Sequence, residues 1–241
     1  LKAETLFISD LHLRYSRPAI TRRFLGFIQH RASNVERLFI LGDLFDAWVG
    51  DDDWSPPNNQ VKTALKTLTS QNTNVYLQLG NRDFLIGNQF IKETGVTLLD
   101  DYSIIDLYGQ PTLLMHGDLL CSDDLAYLEF RKKTRTASWR HEVLSKPLLL
   151  RLAYARWYRF RSHFHKRKKS QEIMDVNQNT VVETLRKYQV TRLIHGHTHR
   201  PNIHNIDVDN NPAQRIVLDQ WEHRGNILVW NDNGSHIEYF D

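Results

Sequence analysis

The sequence predicts an α/β fold, and two patterns carry that expectation. Short apolar runs rich in β-branched and aromatic residues recur along the chain, and each ends in a cluster of Gly, Asp, Asn or His. Amphipathic stretches lie between the first three of them. Continuous apolar runs of this length suit strands buried on both faces. In such sheets, ligands collect at the carboxyl ends of the strands.

Taken in order, Glu4 to Ser9 predicts a first strand, ending in Asp10-Leu11-His12, and Pro18 to Ala32 predicts a helix. Glu36 to Leu41 is a second strand, ending in Gly42-Asp43, and Asn58 to Gln71 a second helix. Asn74 to Leu79 ends in Gly80-Asn81-Arg82-Asp83. Pro111 to Met115 precedes His116-Gly117-Asp118, and Arg192 to Ile194 leads into His195-Gly196-His197-Thr198-His199. This βαβ rhythm is that of a layered α/β core. Residues 123–170 interrupt it as an insertion of two or more helices parted near Ser145-Lys146-Pro147, followed by a helix from Gln171 to Tyr188. The tail predicts antiparallel strands at Ile203 to Val208, Ala213 to Leu218, Asn226 to Trp230 and His236 to Phe240, joined by Asn- and Gly-containing turns. The expectation is one domain over 1–241 with a helical lid at about 123–170.

A chain of 241 residues that is 41% hydrophobic can bury a sizeable core. Its single cysteine, Cys121, excludes an internal disulfide framework and suits a reducing compartment. Beside two aspartates its thiolate is disfavoured, so an inert thiol is expected. The N-terminal stretch turns polar too soon for a signal peptide, and no apolar run approaches the roughly 18 residues that span a bilayer. The expectation is a soluble, intracellular protein. The net charge of +3 is unevenly distributed: Arg131 to Lys169 holds 14 Lys or Arg against one acid, Glu142, and the remainder is net negative. Nucleic acid, an anionic membrane surface or a phosphorylated ligand would each account for such a block.

Chemistry collects at the strand ends. DxH, GD, GNxD, HGD and GHxH each follow a β-run, and each glycine permits a tight turn or close backbone approach. Hard oxygens mixed with imidazole nitrogens suit manganese, iron or zinc. Two such ions roughly 3.5–4 Å apart can share a carboxylate and activate one water. Any one of these motifs alone is an ordinary turn; five in this order are not. Asp51, Asp52 and Asp53 read as a loop and helix cap rather than ligands.

The ordered set resembles that of the calcineurin-like metallophosphoesterases, over nearly the whole chain. The resemblance implies a four-layer α/β/β/α sandwich. It implies that Asp10, His12 and His199 hold one divalent ion, that Asn81, His116 and His197 hold another, and that Asp43 bridges them. His195 falls outside the GHxH pattern and is either a strand-end packing residue or a neighbour of the substrate. The chain departs from the common GNH[DE] motif by placing Arg82 where a histidine can protonate a leaving group. Arginine does not donate a proton near neutral pH, and a phosphate leaving group, with its second pKa near about 6, does not require one. Arg82 can still neutralise charge on a phosphoryl transition state. A phosphoanhydride substrate is therefore favoured over a simple monoester.

From composition, the insertion reads as a solvated helical cap, a nucleic-acid surface, or a lid over an anionic lipid. In Leu148 to Phe160 apolar and aromatic residues crowd between arginines, which fits acyl chains on one side and phosphates on the other. Residues 42–53, 80–87, 116–124 and 173–181 are similar to those of the UDP-2,3-diacylglucosamine pyrophosphohydrolases of lipid A biosynthesis. That resemblance implies hydrolysis of UDP-2,3-diacylglucosamine to UMP and 2,3-diacylglucosamine 1-phosphate (lipid X), by water attack on the α-phosphorus with Mn2+ as the metal. It implies a peripheral protein on the cytoplasmic face of the inner membrane of a Gram-negative bacterium. Substrate contacts then fall on Asn81, Arg82, Asp124, Tyr127, Arg159, Ser162, Lys166, Lys169 and His195, with Arg82 and Asp43 in catalysis. No nucleic-acid partner is expected, and a monomer is. The competing readings are a soluble nucleotide pyrophosphohydrolase or phosphodiesterase of the same fold and a non-catalytic binding scaffold. The intact ligand set disfavours the scaffold.

Overall fold

A computed structural model of the chain describes residues 2–166 and 175–241, with side chains over 3–159 and 175–241. In chain order the strands are β1 (Lys2–Ile8), β2 (Val35–Leu41), β3 (Asn74–Gln78), β4 (Thr97–Leu98), β5 (Ser103–Leu107), β6 (Gln110–Leu114), β7 (Arg192–His195), β8 (Asn202–Val208), β9 (Asn211–Val217), β10 (Gly225–Asn231) and β11 (Gly234–Phe240). The helices are α1 (Pro18–His30), α2 (Asn58–Ser70), α3 (Asn88–Thr94), α4 (Leu125–Thr134), α5 (Ala137–Leu144), α6 (Leu148–Lys166) and α7 (Gln178–Tyr188).

Two sheets result. One runs β11-β10-β1-β2-β3-β4, with β1 to β4 parallel; the other runs β5-β6-β7-β9-β8, with β6, β7 and β9 parallel. Successive side chains of a strand point to opposite faces, and here each face meets a different core. Leu6 and Ile8 of β1, with Leu38 and Ile40 of β2, pack on Phe24, Phe27 and Ile28 of α1 and Val61 and Leu65 of α2. Between them, Phe7 and Phe39 point the other way, into a core shared with Leu114 of β6, Ile194 of β7 and Ile216 of β9. Leu113 and Leu193 leave the second sheet on its far side, against Val181 and Leu185 of α7. The order helix, sheet, sheet, helix is the expected four-layer sandwich, and it explains why the strand runs are apolar throughout.

Helix ends follow local chemistry. Pro18 occupies the first turn of α1, where its missing N–H costs nothing. Asn177 caps α7 by accepting from the backbone N–H of Asn179 and Thr180. The helix expected from Gln171 therefore begins at Gln178, and residues 171–174 lie outside the described ones. The insertion breaks near Ser145–Pro147 as expected and once more at Arg135 and Thr136, where the Thr136 hydroxyl accepts from the backbone N–H of Trp139. The tail divides: the β8–β9 hairpin joins one sheet and β10–β11 the other. Among the described residues no helix is long and apolar enough to cross a membrane.

Candidate metal centre

The carboxyl ends of β1, β2, β3, β6 and β7 converge at one edge of the sandwich. Backbone hydrogen bonds staple their loops together: Asp10 N–H to Gly42 C=O at 3.2 Å, His12 N–H to Asp43 C=O at 3.0 Å, and Gly196 N–H to His116 C=O at 2.9 Å. Asp83 joins two more, accepting from the N–H of Leu44 at 2.7 Å and of Gly80 at 2.8 Å. Asp10, His12, Asp43, His197 and His199 all have positive φ, between 49° and 69°. Asp, Asn and His are the non-glycine residues that tolerate this region best. Their clustering marks a functional site. Gly80 passes so close to Asp43 that an added Cβ would lie 2.1 Å from the carboxylate.

These loops place two groups of donors. Asp10, His12 and His199 present ligand atoms within 4.8 Å of one another, and so do Asp10, Asp43 and His116. His12 Nε2 faces His199 Nε2 at 3.4 Å, and His199 Nε2 lies 3.2 Å from Asp10. On the other side, His116 Nε2 is 3.1 Å from Asn81 Oδ1 and 3.2 Å from His197 Nδ1. Asp43 lies between: Oδ2 is 3.8 Å from His12 and Oδ1 3.8 Å from His116. Asp10 reaches both groups, which the sequence pattern does not reveal. His116 donates Nδ1–H to the Leu41 carbonyl at 2.8 Å, which fixes its ring and turns Nε2 into the site.

The electrostatics of this set call for cations. Burial pushes the imidazoles of His12 and His197 down to about 3, so both are neutral and able to ligate. Burial opposes a charge on His116 as well, but the neighbouring Asp43 and Asp10 carboxylates push it up to about 9. Burial also raises Asp43, to about 7, while the hydrogen bond and charge of His199, with the other histidines, outweigh burial at Asp10 and lower it. His12 Nδ1 is buried with no hydrogen-bond partner. Buried carboxylates, facing ring nitrogens and an orphaned imidazole nitrogen fit two divalent ions held by mixed N and O donors.

Around this centre, the backbone N–H of Arg82 donates to Asp43 Oδ1 at 2.8 Å. The Tyr127 ring stands beside His197, with 6.4 Å between centroids, and its hydroxyl donates to the buried Asp118 carboxylate. Asp124 caps α4, accepting from the Tyr127 N–H at 3.1 Å. The sequence pattern leaves Asp118 without a role; the structure makes it the acceptor for both Tyr127 and Arg131. His195 is not brought to the site. It is fully buried, its Nδ1 on the Gly196 carbonyl at 2.8 Å and its Nε2 3.3 Å from Arg215. Asp51 caps α3, Asp52 pairs with Arg151, and Asp53 accepts from Ser55, as a loop and cap should. Ser162 and Lys166 lie outside the described side chains, and Lys169 outside the described residues.

Five of the insertion's arginines turn toward the core rather than onto a solvated face. Arg131 pairs with Asp101 and Asp118, Arg135 donates to the Gly80 carbonyl, and Arg140 donates to the Ile86 carbonyl. Arg151 pairs with Asp52, and Arg159 with Asp46. They clasp the insertion to the core. Leu149, Leu150, Tyr154 and Trp157 of α6 are exposed instead.

The chain is similar to named proteins over nearly its whole length. A protein of Cellvibrio japonicus named "UDP-2,3-diacylglucosamine hydrolase" is 45% identical over 98% of this chain and 99% of its own. One of that name from Marinobacter nauticus is 49% identical over 90% of this chain and 89% of its own, and one from Coxiella burnetii 46% over 96% and 95%. The model of the calcineurin-like phosphoesterases matches residues 4–201, a span that begins in β1 and closes just beyond the last histidine of the site. Covering most of the chain and all five of the strand ends that supply the candidate donors, this match shows that the chain belongs to the calcineurin-like phosphoesterase family.

Proposed function

We propose that this protein hydrolyses the pyrophosphate bond of UDP-2,3-diacylglucosamine, releasing UMP and 2,3-diacylglucosamine 1-phosphate, a step of lipid A biosynthesis. The observation that carries the reading is the 45–49% identity to hydrolases named for that substrate, over a length that includes the insertion. In this reading Asp10, His12 and His199 hold one ion and Asn81, His116 and His197 the other, with Asp43 between them. A divalent pair, most simply Mn2+, would supply Lewis-acid charge and a nucleophilic water at neutral pH. Asp43 is kept in place by the Arg82 N–H. The Arg82 guanidinium neutralises charge that develops on the phosphoryl oxygens. No side-chain acid is needed for the leaving phosphate. Tyr127 and Asp124, at the start of α4, border the centre where the glucosamine head group would sit, and Arg159 approaches from α6.

The exposed Leu149, Leu150, Tyr154 and Trp157 favour the lipid lid over a solvated cap. Such a surface suits acyl chains or the anionic cytoplasmic face of a Gram-negative inner membrane. The protein then acts there as a peripheral monomer. The test is Mn2+-dependent hydrolysis of UDP-2,3-diacylglucosamine beside UDP-glucose and an aryl phosphodiester, with products identified by mass. UMP and lipid X from the acylated substrate alone are expected. Equal cleavage of the soluble compounds would replace the reading with a soluble nucleotide hydrolase.

A further inference from the structure

Asp46 is a carboxylate inside an apolar run, Leu44-Phe45-Asp46-Ala47-Trp48, and it is buried at 6% exposure. Burying a charge is costly unless it is paired. Asp46 meets three guanidinium groups from three parts of the chain. Arg14, two residues after the ligand His12, donates to Oδ2 at 3.0 Å. Arg159 of α6 contacts the same oxygen. Arg82, in the loop after β3, places an amino nitrogen 3.8 Å from Oδ1. Each arginine side chain keeps between a quarter and a third of its surface exposed, so the cluster opens outward.

We infer that Asp46 is a positioning residue, which sets the Arg82 guanidinium beside the metal centre and pins the insertion over it through Arg159. Without the carboxylate the three cations would repel one another and disperse. With it, the cluster keeps an excess of two positive charges at the rim of the centre. That excess matches the doubly negative bridge of a pyrophosphate diester, a match that rests on the function proposed above. The distance of 3.8 Å at Arg82 is a charge contact without a hydrogen bond, so Arg82 can turn to the phosphoryl group while Arg14 and Arg159 stay bound.

A kinetic cycle tests this. Asp46→Asn keeps the shape and removes the charge. It should lower kcat about 10- to 100-fold, the worth of a unit charge about 4 Å away near a protein surface, with Mn2+ content unchanged. In an Arg82→Ala background the same change should move kcat less than about threefold while KM still rises, because Arg159 is still released. Asp46→Glu should recover part of the activity. Additive losses of kcat in the two backgrounds, or loss of Mn2+ from Asp46→Asn, would overturn the assignment. Absence of wild-type turnover on UDP-2,3-diacylglucosamine would instead sink the substrate reading, and the cycle would then be run on bis(p-nitrophenyl) phosphate. Hydrogen exchange supplies an arm that needs no turnover. Asp46→Asn should speed exchange over residues 152–159 of α6 at least tenfold, while the turn held by Arg151 keeps its protection. Unchanged exchange there would equally refute the pin.

Discussion

Replacing Gly80 by alanine adds one methyl group at the most crowded point of the centre. The new Cβ would sit 2.1 Å from Asp43 Oδ1 and 2.3 Å from the Asp43 backbone nitrogen. Ordinary contact begins at 3.4 Å, so one of the two loops must move by more than an ångström. The backbone nitrogen cannot swing aside, and the loop it belongs to is stapled to the loop after β1, where the His12 N–H donates to the Asp43 carbonyl. Misplacement of about 1 Å at a reacting centre costs about 100-fold in rate, and overpacking costs about 1–3 kcal/mol of stability. For a chain of this size that is a fall in Tm of about 2–12 °C. The assay is Mn2+-dependent turnover alongside thermal unfolding of the metal-free protein. Gly26→Ala is the control, because a Cβ there meets nothing within 4 Å in the middle of α1, and it should leave kcat unchanged with equal or greater stability. A Gly80→Ala enzyme with kcat within threefold of wild type would refute the argument that Asp43 depends on this close approach.

Further outcomes follow from the same geometry. Asp43→Ala should abolish turnover and leave the two donor groups unlinked; elemental analysis showing two tightly held ions would contradict the shared position. Arg82→Ala should lower kcat about 100- to 1000-fold, as removal of a preorganised charge does, with metal content intact; loss of metal would reassign Arg82 to site assembly. Burial and the nearby Asp118 push the Cys121 thiol up to about 12, so a maleimide or disulfide reagent at pH 8 should label the native protein far more slowly than the denatured one. Arg151→Ala removes a buried clasp to Asp52 and the Val49 carbonyl, and limited proteolysis should then open the insertion around α5 and α6 before the core is cut.

The layered fold was legible because its strands are buried on both sides, so their apolar runs are unbroken. The candidate donors were legible because each sits where such a run stops, at Asp10, Asp43, Asn81, His116 and His197. What escaped depends on neighbours distant in sequence. Thr97–Leu98 is too short to show a period. The tail's two hairpins look alike in sequence, and only packing decides which sheet each joins. The basic block suggested an outward-facing surface, because nothing local to Arg131 or Arg151 names its partner, Asp118 or Asp52. One signal was available for Asp46: an acid within an apolar run must find a cation, although the sequence does not say which.

The left-handed backbone at Asp10, His12, Asp43, His197 and His199 carries a further meaning. An L-residue held there gives up about 1–2 kcal/mol relative to ordinary conformations, and five such residues lie within one small volume. Glycine would be more comfortable at every one of them. The centre is therefore the part of the molecule where evolution has accepted instability, and residue choice there answers two demands at once. Aspartate and histidine can supply metal-binding oxygen and nitrogen, and they are also among the few side chains that backbone tolerates. A search for more robust variants would drift toward glycine at these positions and yield a sturdier protein unable to load metal. Occupancy by cations would return what the loops surrender, so a heat-shift screen of the wild-type chain doubles as a metal-binding assay.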